Sequence, residues 1–498
     1  QNNTLTYKAA AGGLATGLAD FCRARKSIWL GWPGINRKTV NKDEQAEIAD
    51  KLLEQGGYPV FLSAEDIRDY YYGFCNKTIW PLFHYFPLRT VYEDRYWERY
   101  KEVNQRFCKQ IQQIATEDDF IWINDYQLML LPEMVRACMP KVKIGYFLHI
   151  PFPSFELFRL LPWREKLLRG ISASDVAGFH SYDYVRHFIS SCSRILGIEH
   201  SMGELFHDGH VTRVDAFPMG IDYKKFADAA SKPSVQKKAD GIRKKIRSSR
   251  IILSMDRLDY TKGIIQRLEA FDLFLTQNPE YKEKVTLILV VVPSRTGVED
   301  YQQLRKQIES LTGRINGEHG TIGWMPIYYL YRNIPFERRV AIYNLCDVAL
   351  VTPLRDGMNL VAKEYLATKT ESKGVLILSE MAGAAQEMGE ALIVNANNKK
   401  EIIDAIKTSL EMPEEEQVER NILLQRRLKR YNVRRWAEEF MHSLEEIKEK
   451  EMHLSSHLMN VSERERIIKG YKAGKKRLLL LDYDGTLTPI VSRPEQAR

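Results

Sequence analysis

The chain has 498 residues, 44% hydrophobic and 28% charged, a globular composition long enough for two full domains and a fragment of a third. Its net charge of +8 is modest at this length and lies partly in runs such as Lys237-Lys238 and Arg426-Arg427. With no nucleic-acid-binding motif, this predicts a solvated surface and no nucleic-acid partner; the longest nearly apolar run, Val285 to Pro293, is about half of what a membrane-spanning helix needs, so no membrane association is expected.

The start, Gln1-Asn2-Asn3-Thr4, has neither the basic beginning nor the apolar core of a signal peptide. Gly12-Gly13 permits close backbone approach to a ligand, a weak signal by itself. Apolar, β-rich runs then alternate with longer helical patterns, at Ser27–Leu30, Tyr58–Leu62, Phe120–Ile123, Lys143–His149, Asp175–Phe179 and Val211–Phe217. Between them, Trp32, Tyr71 and Trp80 are aromatics that either wall a sugar site or fill the core. Asp125 follows one strand and His149 ends another, so both can face one cleft; a lone histidine in such a place is more often a satisfied structural group.

From Pro218 to Ile242 the rhythm breaks into a polar, Lys-rich helical stretch, which reads as a hinge. The second series of strands is Arg250–Ser254, Val285–Val292, Val348–Thr352, Gly374–Leu378 and Ala391–Val394. The first of these leads into Asp256-Arg257-Leu258-Asp259-Tyr260-Thr261-Lys262-Gly263. Ligands of open α/β sheets bind at the carboxyl ends of strands. There Arg257, a planar fork, and Lys262, a point charge, would neutralise a diphosphate; a surface pair bridged to Asp256 or Asp259 is the alternative. Arg295, after the long strand Val285–Val292, would bind an anion.

Strand Val348–Thr352 runs into Pro353-Leu354-Arg355-Asp356-Gly357 and then a helix start. The first amides of a helix have no internal partner and lie at the positive end of its dipole, so those of Met358, Asn359, Leu360 and Val361 would face a phosphate. Asp356 at the turn is placed to accept a hydrogen bond from a sugar hydroxyl, and Glu364, about two helical turns on, to grip a ribose diol. The same spacing fits Asp356 as a helix cap and Glu364 facing solvent. Pro413 to about Lys450 reads as a terminal amphipathic helix carrying Trp436 and Phe440. Lys475-Lys476-Arg477 then precedes an apolar run ending in Asp482-Tyr483-Asp484-Gly485-Thr486, which opens a new domain. The six cysteines, Cys22, Cys75, Cys108, Cys138, Cys192 and Cys346, form no CxxC pair and read as reduced thiols of a cytoplasmic protein.

Strands with Val, Ile and Leu on both faces belong to parallel sheets covered by helices on each side. The expected architecture is therefore α/β, two Rossmann-like doubly wound domains facing across a cleft. As a set, Gly12-Gly13-Leu14, Gly31-Trp32, Tyr71 to Trp80, Trp122-Ile123-Asn124-Asp125-Tyr126, Phe147-Leu148-His149-Ile150-Pro151-Phe152-Pro153, Arg257-Leu258-Asp259-Tyr260 with Lys262-Gly263, Gly313-Arg314-Ile315-Asn316-Gly317 and Arg355-Asp356-Gly357-Met358-Asn359-Leu360-Val361 resemble the trehalose-6-phosphate synthases. These are retaining glycosyltransferases of the two-Rossmann GT-B fold, and the resemblance covers about residues 8 to 450.

The resemblance implies transfer of glucose from UDP-glucose to glucose-6-phosphate with retention, giving α,α-trehalose 6-phosphate and UDP. It implies Gly13 at the donor phosphate, Arg257 and Lys262 as the diphosphate clamp, and Glu364 on the ribose. Asp356 and the amides after it would hold donor glucose, with His149 on its 6-hydroxyl. Trp32 and Asp125 would hold the acceptor sugar, and Tyr71, Trp80 and Arg295 would form the set that selects a phosphorylated acceptor. The acceptor hydroxyl would attack from the face the nucleotide leaves, with a leaving phosphate oxygen taking its proton, so no metal, cofactor or covalent nucleophile is expected in the synthase site. The family's usual opening strand and the Asn-Arg pair before its Gly-Gly have no counterpart in the sequence.

The tail resembles the first motif of haloacid-dehalogenase-type phosphatases, as in the trehalose-6-phosphate phosphatase domain. There Asp482 would be the nucleophile and Asp484 the acid/base, with Mg2+ needed only by a complete phosphatase domain. The further motifs of such an enzyme do not occur before Arg498, so a fusion protein is expected but no phosphatase activity of this chain. The expected divisions are 1–220 (acceptor domain, first strand absent), 221–425 (nucleotide-sugar domain), 426–474 (helices and linker) and 475–498 (start of the phosphatase-like domain). The alternatives are a catalytically silent sugar-phosphate sensor of the same family and another GT-B glucosyltransferase. The nucleotide base and the oligomeric state stay open, and a homo-oligomer is compatible with the sequence.

Overall fold

The computed structural model describes residues 18, 21–23, 25–207, 210–295, 298–455, 461–474 and 476. It divides into two compact units, Gln1–Lys448 and Glu449–Arg498. The second contains the helix Val461–Ala473; among the described residues all the strands lie in the first.

β1 (Trp29–Gly31) and β2 (Gly57–Pro59) form a parallel pair. A six-stranded sheet follows from β3 (Phe120–Asn124), β4 (Lys143–Phe147), β5 (Val176–Phe179), β6 (Glu199–Ser201), β7 (Glu204–His207) and β8 (His210–Ala216), in spatial order β3-β4-β5-β8-β7-β6. Its four central and leading strands are parallel, and β7 and β6 extend one edge antiparallel. The second sheet is wholly parallel: β9 (Arg250–Arg257), β10 (Val285–Val292), β11 (Ile327–Tyr331), β12 (Val348–Val351), β13 (Val375–Ser379) and β14 (Leu392–Val394), in order β11-β10-β9-β12-β13-β14.

This order is the Rossmann winding, in which three strands are laid down in one direction and the chain then returns past the first to lay down three more in the other. The winding reverses between β9 and β12, and a crevice opens at their carboxyl ends. β10 shows why the sheet is parallel and central: all its residues but Val292 are buried. Ile288 and Val290 face a core with Met255 and Tyr365, while Leu287, Leu289 and Val291 face another with Phe271 and Ile308. Only a sheet covered by helices on both sides admits such a strand.

Three features depart from the sequence expectation. β11 is an additional edge strand whose tyrosines are half buried, and β6 and β7 form a short hairpin; none is a continuous aliphatic run. The stretch from Pro218 to Ile242 is not mainly hinge: helices Tyr223–Ala230 and Pro233–Arg243 put Ala229 and Val235 into the second lobe's core. The helical region after Pro413 is two helices, Glu414–Arg430 and Val433–Ser455.

The last of these returns to the first lobe. Trp436 and Phe440 are fully buried. Phe440 stacks on Trp122 at 4.7 Å, Trp436 meets Phe147 edge-on at 5.0 Å, and its Nε1 donates to the Phe217 carbonyl at 3.1 Å. The Phe440 ring occupies the space over Gly145 in β4 and Gly178 in β5. The chain therefore crosses between lobes near residues 217–222 and again near 431–433. The two crossings touch, with Val433 N–H donating to the Ile221 carbonyl at 3.2 Å. Gly220 is required here, because a Cβ would lie 2.5 Å from the Tyr431 carbonyl oxygen.

Candidate active site

The ends of β9 and β12 meet where the winding reverses. After β9, Asp259 accepts the Thr261 amide at 3.0 Å and caps the short 3-10 turn Tyr260–Lys262. That turn aims Lys262 across the crevice between strands, and its Nζ lies 2.5 Å from Asp356 Oδ2. The Thr261 carbonyl accepts the amides of Leu354 at 2.8 Å and Arg355 at 3.3 Å, fastening the two loops together. Arg257 sits exposed at the tip of β9, and its charge favours ionisation of both Asp356 and Asp125. Burial, the largest single influence, would raise the Asp356 carboxyl; the Lys262 ammonium, with smaller contributions from His84 and Arg257, holds the group below its ordinary value. The surface-pair alternative is excluded for these residues, since Asp256 pairs with Arg267, Asp259 with Arg295, and Lys262 with Asp356.

Asp356 is not the helix cap. Asn359, in the left-handed region at φ +73°, caps helix Leu360–Thr368 by accepting the Ala362 amide at 3.4 Å, and it donates to Asp356 at 3.0 Å. Met358 is buried and Leu360 and Val361 pack against the second core, so their side chains are taken up by packing. Glu364 is 9% exposed, which rules out a solvent-facing role. It accepts from the Tyr343 hydroxyl at 2.7 Å and lies 3.9 Å from Arg339 Nε. Burial raises its carboxyl against the pull of Arg339.

The first lobe supplies the facing wall. Asp125, just past β3 and held at φ +74°, accepts the His149 amide at 3.1 Å. Desolvation pushes its carboxyl up to about 6, against the amides of His149 and Tyr126 and the more distant Arg257 and Arg295. His149 Nε2 lies 3.0 Å from Asn124 Oδ1; it carries the proton and leaves Nδ1 as an acceptor. Burial lowers the imidazole to about 3, so it is neutral. The lobes meet here: a Cβ on Gly357 would sit 2.3 Å from the His149 carbonyl oxygen. The Tyr184 hydroxyl reaches the Asp356 carbonyl at 3.4 Å.

Arg295 also spans the two lobes. Its guanidinium donates to Asp259 at 2.8 Å, Tyr301 at 2.5 Å and Tyr126 at 3.3 Å, and lies 3.8 Å over the Trp80 ring. Its backbone is in the left-handed region at φ +47°, and such strain is stored preferentially at functional sites. Trp80, 4% exposed, thus meets Arg295 and His84 instead of open space; its buried Nε1 has no hydrogen-bond partner. Trp80 follows a π-helix, Ile67–Ile79, a rare form that often occurs at functional sites. Tyr71 rides on that helix with its ring 5.9 Å from Trp32, whose Nε1 donates to Ile35 at 2.9 Å.

The structure thus gathers Arg257, Lys262, Asp356, Asn359, His149 and Asp125 around one crevice, with Arg295 and Trp80 at one end of it. Gly13, Asp482 and Asp484 lie outside the described residues. The sequence did not single out Arg267, Tyr126, Asn124 or Tyr343; of these only Arg267 left a signal, a charge three and four residues before Ala270 and Phe271 on the apolar face of its helix. A surface cavity of about 950 Å³ elsewhere, lined by Arg186, Arg194, His200 and Arg213, holds none of the crevice groups. Asp272, Glu318 and His319 have metal-ligand spacing, but Asp272 is already bonded to His319 at 2.8 Å and Arg314 at 2.9 Å.

Residues 1–446 match glycosyltransferase family 20. The chain is 42% identical to the bifunctional trehalose-6-phosphate synthase/phosphatase of Thermoproteus tenax, over 98% of this chain and 68% of that protein. It is 40% identical to α,α-trehalose-phosphate synthase [UDP-forming] A of Dictyostelium discoideum, over 100% of this chain and 67% of that protein. Among solved structures, the UDP-forming α,α-trehalose-phosphate synthase of Burkholderia xenovorans in complex with glucose-6-phosphate superposes with a TM-score of 0.80 at 32% identity, covering 88% of this chain and 98% of that one.

Proposed function

The chain belongs to glycosyltransferase family 20, and from that premise we propose that it transfers glucose from UDP-glucose to glucose-6-phosphate, with retention, forming α,α-trehalose 6-phosphate and UDP. It is a glycosyltransferase with the two-Rossmann architecture of its structural neighbours. The observation that carries the substrate reading is the buried Lys262–Asp356 pair beside Arg257 at the carboxyl ends of β9 and β12, opposite neutral His149.

In this reading Arg257 and Lys262 take the leaving diphosphate, helped by the helix-start amides of Leu360 and Val361 and by the backbone at Met358 and Gly13. Glu364, fixed by Tyr343, accepts from the ribose diol. Asp356 and Asn359 hold the donor glucose, and His149 Nδ1 accepts its 6-hydroxyl. Trp32 and Asp125 hold the acceptor sugar, and Tyr71 and Arg295, the latter backed by Trp80, its phosphate. The acceptor hydroxyl attacks on the face that the diphosphate leaves, and a diphosphate oxygen receives the proton. Positioning and preorganised charge supply the rate, since the Lys262 ammonium is already held against Asp356 before substrate arrives.

Six free cysteines, four of them buried, support a reducing compartment, the cytoplasm. The bifunctional T. tenax relative and Asp482-Tyr483-Asp484-Gly485-Thr486 support a parent fused to a phosphatase-like domain. Incubation with UDP-, GDP- or ADP-glucose and glucose-6-phosphate, with product analysis by NMR, tests the assignment. The expected product is the α,α-linked phosphodisaccharide, formed fastest from UDP-glucose; failure to form it from any of the three donors overturns the proposal.

A further inference from the structure

Arg267 is 1% exposed, on helix Ile264–Gln277, behind the crevice and out of reach of any ligand in it. Its guanidinium makes four hydrogen bonds. Nε donates to Thr352 Oγ1 at 3.1 Å, Nη1 to Asp256 at 2.7 Å and to the Ser254 hydroxyl, and Nη2 to the Lys262 carbonyl at 2.9 Å. These partners are the carboxyl end of β9, the residue just after β12, and the backbone of Lys262 itself. One side chain therefore sets the spacing of the two strand ends that flank the switch point, and it grips the residue whose Nζ meets Asp356. A buried ion pair such as Arg267–Asp256 is weak as a source of stability, because well-packed apolar residues do as well. Its directionality is another matter: a planar five-donor group fixes loops to which an apolar side chain would be indifferent.

We propose that Arg267 is a positioning residue for glycosyl transfer, holding the Lys262 ammonium in register with the strand end that carries Asp356. The inference rests on the reading of Lys262 as a ligand of the leaving diphosphate.

The test uses the full chain with Arg267→Lys, the paired Asp256→Asn/Arg267→Met, Lys262→Ala, and the paired change in the Lys262→Ala background. The readouts are thermal melting, UDP affinity by calorimetry, and kcat and KM for each substrate. The paired variant, which leaves no lone buried charge, is expected to stay folded, to bind UDP more weakly, and to lose roughly 10–100-fold in kcat, as displaced catalytic groups do. The KM for glucose-6-phosphate should not move. Arg267→Lys keeps the charge beside Asp256 without the fork and should fall between. Once Lys262 is Ala, the paired change should add less than about twofold, since its effect runs through the missing ammonium. Wild-type UDP affinity and kcat in the folded paired variant, or an equal loss with and without the ammonium, overturns the inference. Where the paired variant does not fold, wild-type kcat in Arg267→Lys overturns it. If Lys262→Ala itself keeps full UDP affinity and kcat, the diphosphate reading fails, and the inference with it. If Lys262→Ala is impaired and the Arg267 variants are not, only the inference fails.

Discussion

Replacing Lys262 by Ala separates two quantities that the structure ties together. The ammonium lies 2.5 Å from Asp356 Oδ2, and the two side chains are only 10% and 14% exposed. Breaking a buried pair by deleting one partner costs ~3–5 kcal/mol, chiefly through the charge left behind. Here Asn359 still donates to Asp356 and Arg257 still lies nearby, so the stability loss should fall at or below the lower end of that range. The catalytic loss has a different origin. An oriented group that meets charge developing in the transition state contributes ~3–4 kcal/mol, or about 10²–10³ in kcat. The double variant Lys262→Ala/Asp356→Asn removes the stranded carboxylate. Its melting temperature should recover most of what the single variant loses, while its kcat, by steady-state UDP release, should not recover. A kcat for Lys262→Ala within about tenfold of wild type, or a double variant that regains rate along with stability, would refute the reasoning.

Asp125→Asn should trade activity for stability. The wild-type carboxyl is raised to about 6 by desolvation, so the folded state holds its proton more tightly than the unfolded chain, and stability is lost as pH rises from near 4 through about 6. The amide escapes that penalty, with an upper bound of ~3 kcal/mol for a shift of this size; differential scanning calorimetry should show a higher melting temperature at pH 8 and a gain that shrinks toward pH 4, alongside a raised KM for glucose-6-phosphate. Phe440→Ala should destabilise by ~3–5 kcal/mol in urea titrations, because the fully buried ring fills the space over Gly145 and Gly178, which have no side chains of their own to fill the cavity.

The sequence displayed the second lobe almost completely, because its strands are buried on both faces and read as unbroken aliphatic runs; Val285–Val292 has the same bounds in the structure. It hid β11, whose Tyr328, Tyr329 and Tyr331 look amphipathic because an edge strand is half exposed. Single side chains at strand ends, Arg257, Lys262 and Asp356, were legible because α/β topology dictates where loops converge. What those side chains bond to was not legible. Whether Glu364 faced solvent or Tyr343 depended on how two helices pack, and Arg295 reaching Trp80 and Tyr126 depended on the approach of the lobes. Asp356 as a cap was ambiguous for a local reason: Asn359, three residues on, is an equally good capping residue, and the hydrogen bond from the Ala362 amide to Asn359 Oδ1 decides between them.

The paired crossings at Gly220–Ile221 and Tyr431–Val433 have a mechanical corollary. A single connecting strand would let the halves of the molecule swivel as well as open, whereas two strands pressed side by side define a pivot line and suppress torsion about the perpendicular direction. A gaping of the crevice about these crossings would be confined to one swing, like a book on its spine, and would return His149 to its place over Gly357. A protease cut in either thread would still leave the halves tethered by the other.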